Sequence, residues 1–95
     1  MTIKATTAMQ YIEEQRAAII DVARAIWEFA ELALHEQRSA QCLADALQAE
    51  GFTVEMGVAG MPTAFVATWG SGRPVIGFLG EYDALAGLSQ EAAPE

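Results

Sequence analysis

Val75-Ile76-Gly77-Phe78-Leu79-Gly80 is an apolar run without alternation, ended by the acidic step Glu81-Tyr82-Asp83. A short continuous run of this kind predicts a strand buried on both faces, which needs a covering layer on each side of its sheet. Before it, Gly70-Ser71-Gly72-Arg73-Pro74 reads as a turn, and Ala64-Phe65-Val66-Ala67-Thr68-Trp69 as a second strand over 64–69. Further back, Phe52, Val54, Met56 and Val58 alternate with Thr53, Glu55 and Gly57, which predicts a strand over 52–58 with one wet face.

Upstream of Gly51 the period changes to that of a helix. Ile12, Ile19, Ala23, Ile26, Ala30 and Leu34 fall on one stripe of a helix expected over 8–34, with Glu14, Asp21, Arg24, Glu28 and Glu31 on its wet face. Trp27 and Phe29 widen the stripe, and Thr7 with Gln10 three residues later fits a capping box. After a break at His35-Glu36-Gln37-Arg38, Ser39 is placed to cap a second helix over 39–50. Ala40, Leu43, Ala44 and Leu47 form its inner face, and Gly51 supplies the stop. The expected class is α/β: two N-terminal helices followed by three strands, the last over 75–80. Two helices cover one face of such a sheet, and the acidic tail over 84–95, with Gly87 and Pro94, offers no second layer. That deficit predicts that residues 1–95 are the front part of a larger α/β unit or are completed by a partner. The alternative is a self-sufficient two-layer domain in which Gly77 and Gly80 mark close backbone approaches.

Composition narrows the function classes. A chain of 95 residues with 53% hydrophobic and 19% charged residues is one small domain at most, too apolar for disorder and too interrupted by charge for a membrane span. Five Lys and Arg against thirteen Asp and Glu give a net charge of −8, which repels phosphate backbones and anionic lipid, so neither nucleic acid nor a membrane is an expected partner. A single Cys excludes an internal disulfide, and the first residues lack a signal-peptide core; the cytoplasm is the expected location. One His and one Cys do not make a zinc site: Cys42 reads as a small semi-buried side chain and His35 as a helix C-terminal residue. No cofactor is therefore expected within this chain. Gly70-Ser71-Gly72 precedes a strand rather than a helix and is no phosphate cradle.

The candidate chemistry lies at the carboxyl end of the 75–80 run, where α/β proteins place their sites. If the backbone stays extended, Glu81 and Asp83 point to one side about 6–7 Å apart. Paired acids there can hold a metal, orient a metal-bound histidine, or divide into acid and base. Equally, they can solubilise a strand end with Tyr82 packed beneath them.

Gly80-Glu81-Tyr82-Asp83-Ala84-Leu85-Ala86-Gly87-Leu88-Ser89-Gln90, behind Pro74-Val75-Ile76 and the pattern from Ser39 to Phe52, resembles the N-terminal part of the metal-dependent amidohydrolases and aminoacylases of the zinc-peptidase superfamily, in particular its aminobenzoyl-glutamate branch. The likeness runs from about Ile12 to Gln90, but only Glu-Tyr-Asp-Ala-Leu is a specific signature. It implies an amide hydrolase acting on aminobenzoyl-glutamate in folate catabolism, whose catalytic domain holds two metal ions, zinc or manganese. By the same resemblance Asp83 matches an Asp that supports a ligating His, and Glu81 stands where related peptidases carry a His ligand. In the branch concerned the metal is held by a later His-Gly-Cys-Gly-His-Asn segment and further Glu and His residues, and this sequence contains none of them. The expectation is a hydrolase fragment inactive alone; the alternative is a small acidic binding or assembly module, pairing through its open sheet with itself or with a hydrolase subunit.

Overall fold

A computed structural model of the chain describes residues 2–87. The elements in order are α1 (Ile3–Glu14), α2 (Arg16–Phe29), α3 (Gln37–Ala49), β1 (Thr53–Met56), a 3-10 turn (Val58–Gly60) and β2 (Phe65–Thr68). The α/β expectation stands, as three helices followed by a two-stranded antiparallel sheet.

The single helix expected over 8–34 is two helices, and both of its ends move. The start is fixed by Thr2, whose Oγ1 accepts the Ala5 amide at 3.1 Å. Thr7 is not a cap: its hydroxyl donates back to the Ile3 carbonyl at 2.9 Å, as an interior helical threonine does. The chain breaks at Gln15 (φ −92, ψ 6), and α2 ends where Ala30 turns left-handed (φ 48, ψ 47). The inward stripe differs as well. Val22, Ala25, Ile26 and Phe29 are half-buried, whereas Ile12, Ile19, Ala23, Ala30 and Leu34 are exposed. The segment from Ala17 to Ala30 is apolar on most sides, so periodicity supports more than one stripe, and the contact with α3 selects among them.

The second helix begins two residues earlier than expected. Ser39 is not the N-cap but lies within the first turn of α3, fully buried, with an Oγ that has no hydrogen-bond partner among the described residues. Ala40 and Ala44 are buried and Leu43 and Leu47 half-buried, so the expected inner face is the real one. Gly51 ends the helix as expected. At φ +94 its amide reaches the Gln48 carbonyl at 3.0 Å while the Phe52 amide reaches Leu47 at 3.1 Å, the paired bonds of a Schellman motif.

β1 and β2 pair with Thr53 opposite Thr68 and Met56 opposite Phe65. Val54, Phe65 and Ala67 are the half-buried members, and α3 packs on both strands. The core therefore lies between α2, α3 and the hairpin. α1 rests against α2, and the Tyr11 hydroxyl donates to Glu50 Oε2 at 2.9 Å at the far end of α3.

The third strand expected over 75–80 is not formed. None of its backbone groups is hydrogen-bonded to another described residue, and its side chains face water: Val75 is 86% exposed, Ile76 73%, Phe78 95% and Leu79 92%. A strand exists only where a neighbour accepts and donates its ladder bonds, and among the described residues no neighbour lies beside this run. Two strands, not three, are present among the described residues. The surface reflects this. The chain exposes 8160 Å², against about 5,300 Å² for a self-contained globule of its 10.2 kDa mass.

Candidate functional site

The acidic step that follows the open run is the point where the chain returns to the body of the fold. Tyr82 donates its hydroxyl to the Thr63 carbonyl at 2.6 Å, and its ring lies 6.2 Å from that of Phe65, tilted by 34°. Two residues on, the Ala84 amide donates to the Glu31 carbonyl at 2.7 Å, and Ala84 forms a parallel bridge with Leu32. Tyr82 and Ala84 are half-buried while Glu81 and Asp83 are exposed, the period-two pattern of extended backbone. Part of the expected loop-like tail is thus docked, and the rest of it, residues 88–95, lies outside the described residues. Both candidate carboxylates accordingly flank one anchored tyrosine. No hydrogen bond or ion pair engages either of them among the described residues.

Beneath Tyr82 lies a polar cluster that the sequence does not announce. Thr63, buried just before β2, donates its hydroxyl to Glu36 Oε1 at 3.3 Å. Burial, and then the nearby Glu36 charge, push the Tyr82 phenol above its ordinary range and keep it a donor.

Glu31 stands on the other side of the junction, and the expectation that it lies on a solvated helix face is corrected. Its side chain is 11% exposed. Oε1 accepts the Ser39 amide at 2.7 Å and Oε2 the Arg38 amide at 3.1 Å, so a carboxylate from the preceding segment caps α3. Arg38 Nε is 3.5 Å from the same carboxylate, and its guanidinium sits 4.7 Å over the Phe29 ring. Burial raises the Glu31 pKa, but the amides of Ser39 and Arg38 outweigh it, and the carboxyl is held below its ordinary range. Charge at a helix N-terminus adds to the same effect. A glutamate eight residues ahead of a serine, across a helix break, is the signal that could have revealed this cap.

His35 lies in the turn between α2 and α3, ahead of a helix N-terminus rather than at a C-terminus, and it is exposed. Cys42 is a free, half-buried thiol on α3. Among the described residues no three His, Cys, Asp or Glu side chains gather closely enough to share a metal ion. The donors that are described therefore do not fit a metal centre by themselves, and no chemical step is routed through one. Among the same residues no helix is long and apolar enough to cross a membrane.

No family model matches the chain. Its sequence is 52% identical over 81 residues to a subunit of p-aminobenzoyl-glutamate hydrolase from Escherichia coli (strain K12), a match covering 85% of this chain. Over those residues the chain is similar to that hydrolase subunit, and the match spans 17% of the relative's length. The likeness read from Glu81-Tyr82-Asp83-Ala84-Leu85 is thereby borne out at the level of family, while the roles of Glu81 and Asp83 stay with the proposal below.

Proposed function

We propose that the chain supplies part of the catalytic domain of an amide hydrolase acting on p-aminobenzoyl-glutamate or a closely similar aryl amide. The 52% identity over 81 residues carries this reading. Asp83 is the positioning carboxylate of the site: accepting an imidazole N–H, it would fix the tautomer and orientation of a histidine brought by the rest of a full-length hydrolase. Glu81 lines the same wall two residues earlier. Tyr82, tied to Thr63, holds both at the edge of the fold. Zinc or manganese belongs to the full-length hydrolase, and the isolated chain, whose described donors do not converge, neither binds such an ion stoichiometrically nor turns over. The relative is named as one subunit of its hydrolase, which suggests an enzyme of more than one kind of chain, and this chain would join such an assembly in the cytoplasm.

The test is a chimera in which this chain replaces the matching 81 residues of the E. coli protein. It is expected to hydrolyse p-aminobenzoyl-glutamate, and Asp83→Ala in the chimera to lower kcat by about 10–100-fold, the usual effect of losing such a support. A folded chimera without turnover overturns the reading, as does turnover with stoichiometric metal by the isolated chain.

A second reading is favoured by one observation, the exposure of Val75, Ile76, Phe78 and Leu79. An apolar segment so open suits an assembly module that pairs through its unfinished sheet.

A further inference from the structure

The backbone on either side of Asp83 is tied to the body of the fold, once through a side chain and once through an amide. We propose that Tyr82 is a positioning residue for the reaction: its hydroxyl on Thr63 and the Ala84 amide on Glu31 form a two-point clamp that gives the Asp83 carboxylate one direction. This deepens the hydrolase reading of the same site and rests on it.

The Tyr82 hydroxyl reaches the Thr63 carbonyl at 2.6 Å, and the Ala84 amide reaches the Glu31 carbonyl at 2.7 Å. In extended backbone side chains stand normal to the pleat while amides lie within it. The first tie therefore resists rolling about the chain axis, and the second resists lateral drift. Asp83 lies between the two and is exposed where Tyr82 and Ala84 are half-buried, so its side chain leaves from the opposite face. A carboxylate that orients an imidazole must stay within about 0.5 Å and 10–20° of its working geometry. With one tie gone the step pivots on the other and sweeps beyond that range.

Both ties are rooted at the start of α3. Thr63 is 5% exposed and donates its hydroxyl at 3.3 Å to Oε1 of Glu36, the residue that precedes the helix. Glu31 has its carboxylate on the Ser39 and Arg38 amides, at 2.7 and 3.1 Å, which holds the residue whose carbonyl receives Ala84. Phe65 of β2 supports the Tyr82 ring from 6.2 Å, within the range of aromatic pairs. A phenylalanine at position 82 would keep that packing and lose only the tie to Thr63. Burial and the Glu36 charge both favour the neutral phenol, so the tie stays a donated hydrogen bond.

The experiment is a double-mutant cycle in the chimera that carries this chain in place of the matching 81 residues. Tyr82→Phe is expected to lower kcat about 3–10-fold with KM unchanged, less than Asp83→Ala because it acts through that carboxylate. In an Asp83→Ala background Tyr82→Phe is expected to change kcat by less than about twofold, since no carboxylate is left to orient. A merely structural tyrosine would lower both backgrounds alike. The clamp itself is read in the whole 95-residue chain by hydrogen exchange. The Ala84 amide is expected to be protected, and to exchange about tenfold faster in Tyr82→Phe, with circular dichroism confirming that the helices are kept. Parent kcat in Tyr82→Phe, equal losses in both backgrounds, or Ala84 exchange indifferent to the hydroxyl overturns the clamp, and a working parent chimera then leaves the hydrolase reading standing. A folded parent chimera without turnover overturns the hydrolase reading and this role with it.

Discussion

At the scale of residues, one carboxylate decides how the helices meet. Glu31 satisfies two amides at the start of α3 and pairs with Arg38, which itself lies over Phe29 of α2. Its pKa is lower in the folded chain than in the unfolded one, so its contribution is present above the ordinary carboxylate range and is lost as pH falls through the depressed folded value. Acid denaturation is therefore expected to begin at the α2–α3 junction. Glu31→Gln should lower the urea midpoint at neutral pH and flatten the loss of stability as pH falls below the ordinary carboxylate range. A variant with the parent's pH profile would show that the cap contributes nothing. Residue chemistry of this sort was only half legible. Glu31 looks solvated when placed on an ideal helix over 8–34, and its role appears only because α2 stops at Phe29 and turns it back over α3.

At the scale of elements, legibility followed the range of the interactions. α3 was readable because its inner residues, Ala40 and Ala44, and its Gly51 stop lie within one short segment. The hairpin was readable because alternation in Val54, Phe65 and Ala67 reflects a single packed face. The break at Gln15 was not, since both flanking segments have helical composition. Gly51 gives the sharpest elemental test. Gly51→Ala places a Cβ at φ +94, 3.8 Å from Trp69 Nε1, so the left-handed backbone rather than crowding sets the cost. A loss of about 1–2 kcal/mol is expected in chemical denaturation. A loss below a few tenths would mean the Schellman bonds do not hold the α3–β1 corner.

At the scale of the whole molecule, the balance of covered and open surface dominates. The buried set among the described residues is small, Ser39, Ala40, Ala44 and Thr63, while the most apolar run of the sequence is solvated. Phe78→Asp with Leu79→Lys is accordingly expected to leave the unfolding midpoint of dilute chain within about 0.5 kcal/mol of the parent, because neither side chain is packed. The same pair should reduce binding of a hydrophobic dye. A large loss of stability in the dilute chain would instead place those side chains in a core.

Local sequence was enough for the helix-then-hairpin order, the inner face and stop of α3, and the Glu81-Tyr82-Asp83 step on which the resemblance was read. Those features depend on neighbours a few residues away. Long-range packing was needed to establish that Val75 to Gly80 forms no strand, that Glu31 caps α3, and that Tyr82 anchors the acidic pair to Thr63. One physical cause separates the two groups. A helix satisfies most of its backbone within its own segment, whereas a strand, a borrowed cap and a docked tyrosine each need a partner that lies elsewhere in the chain or in another molecule.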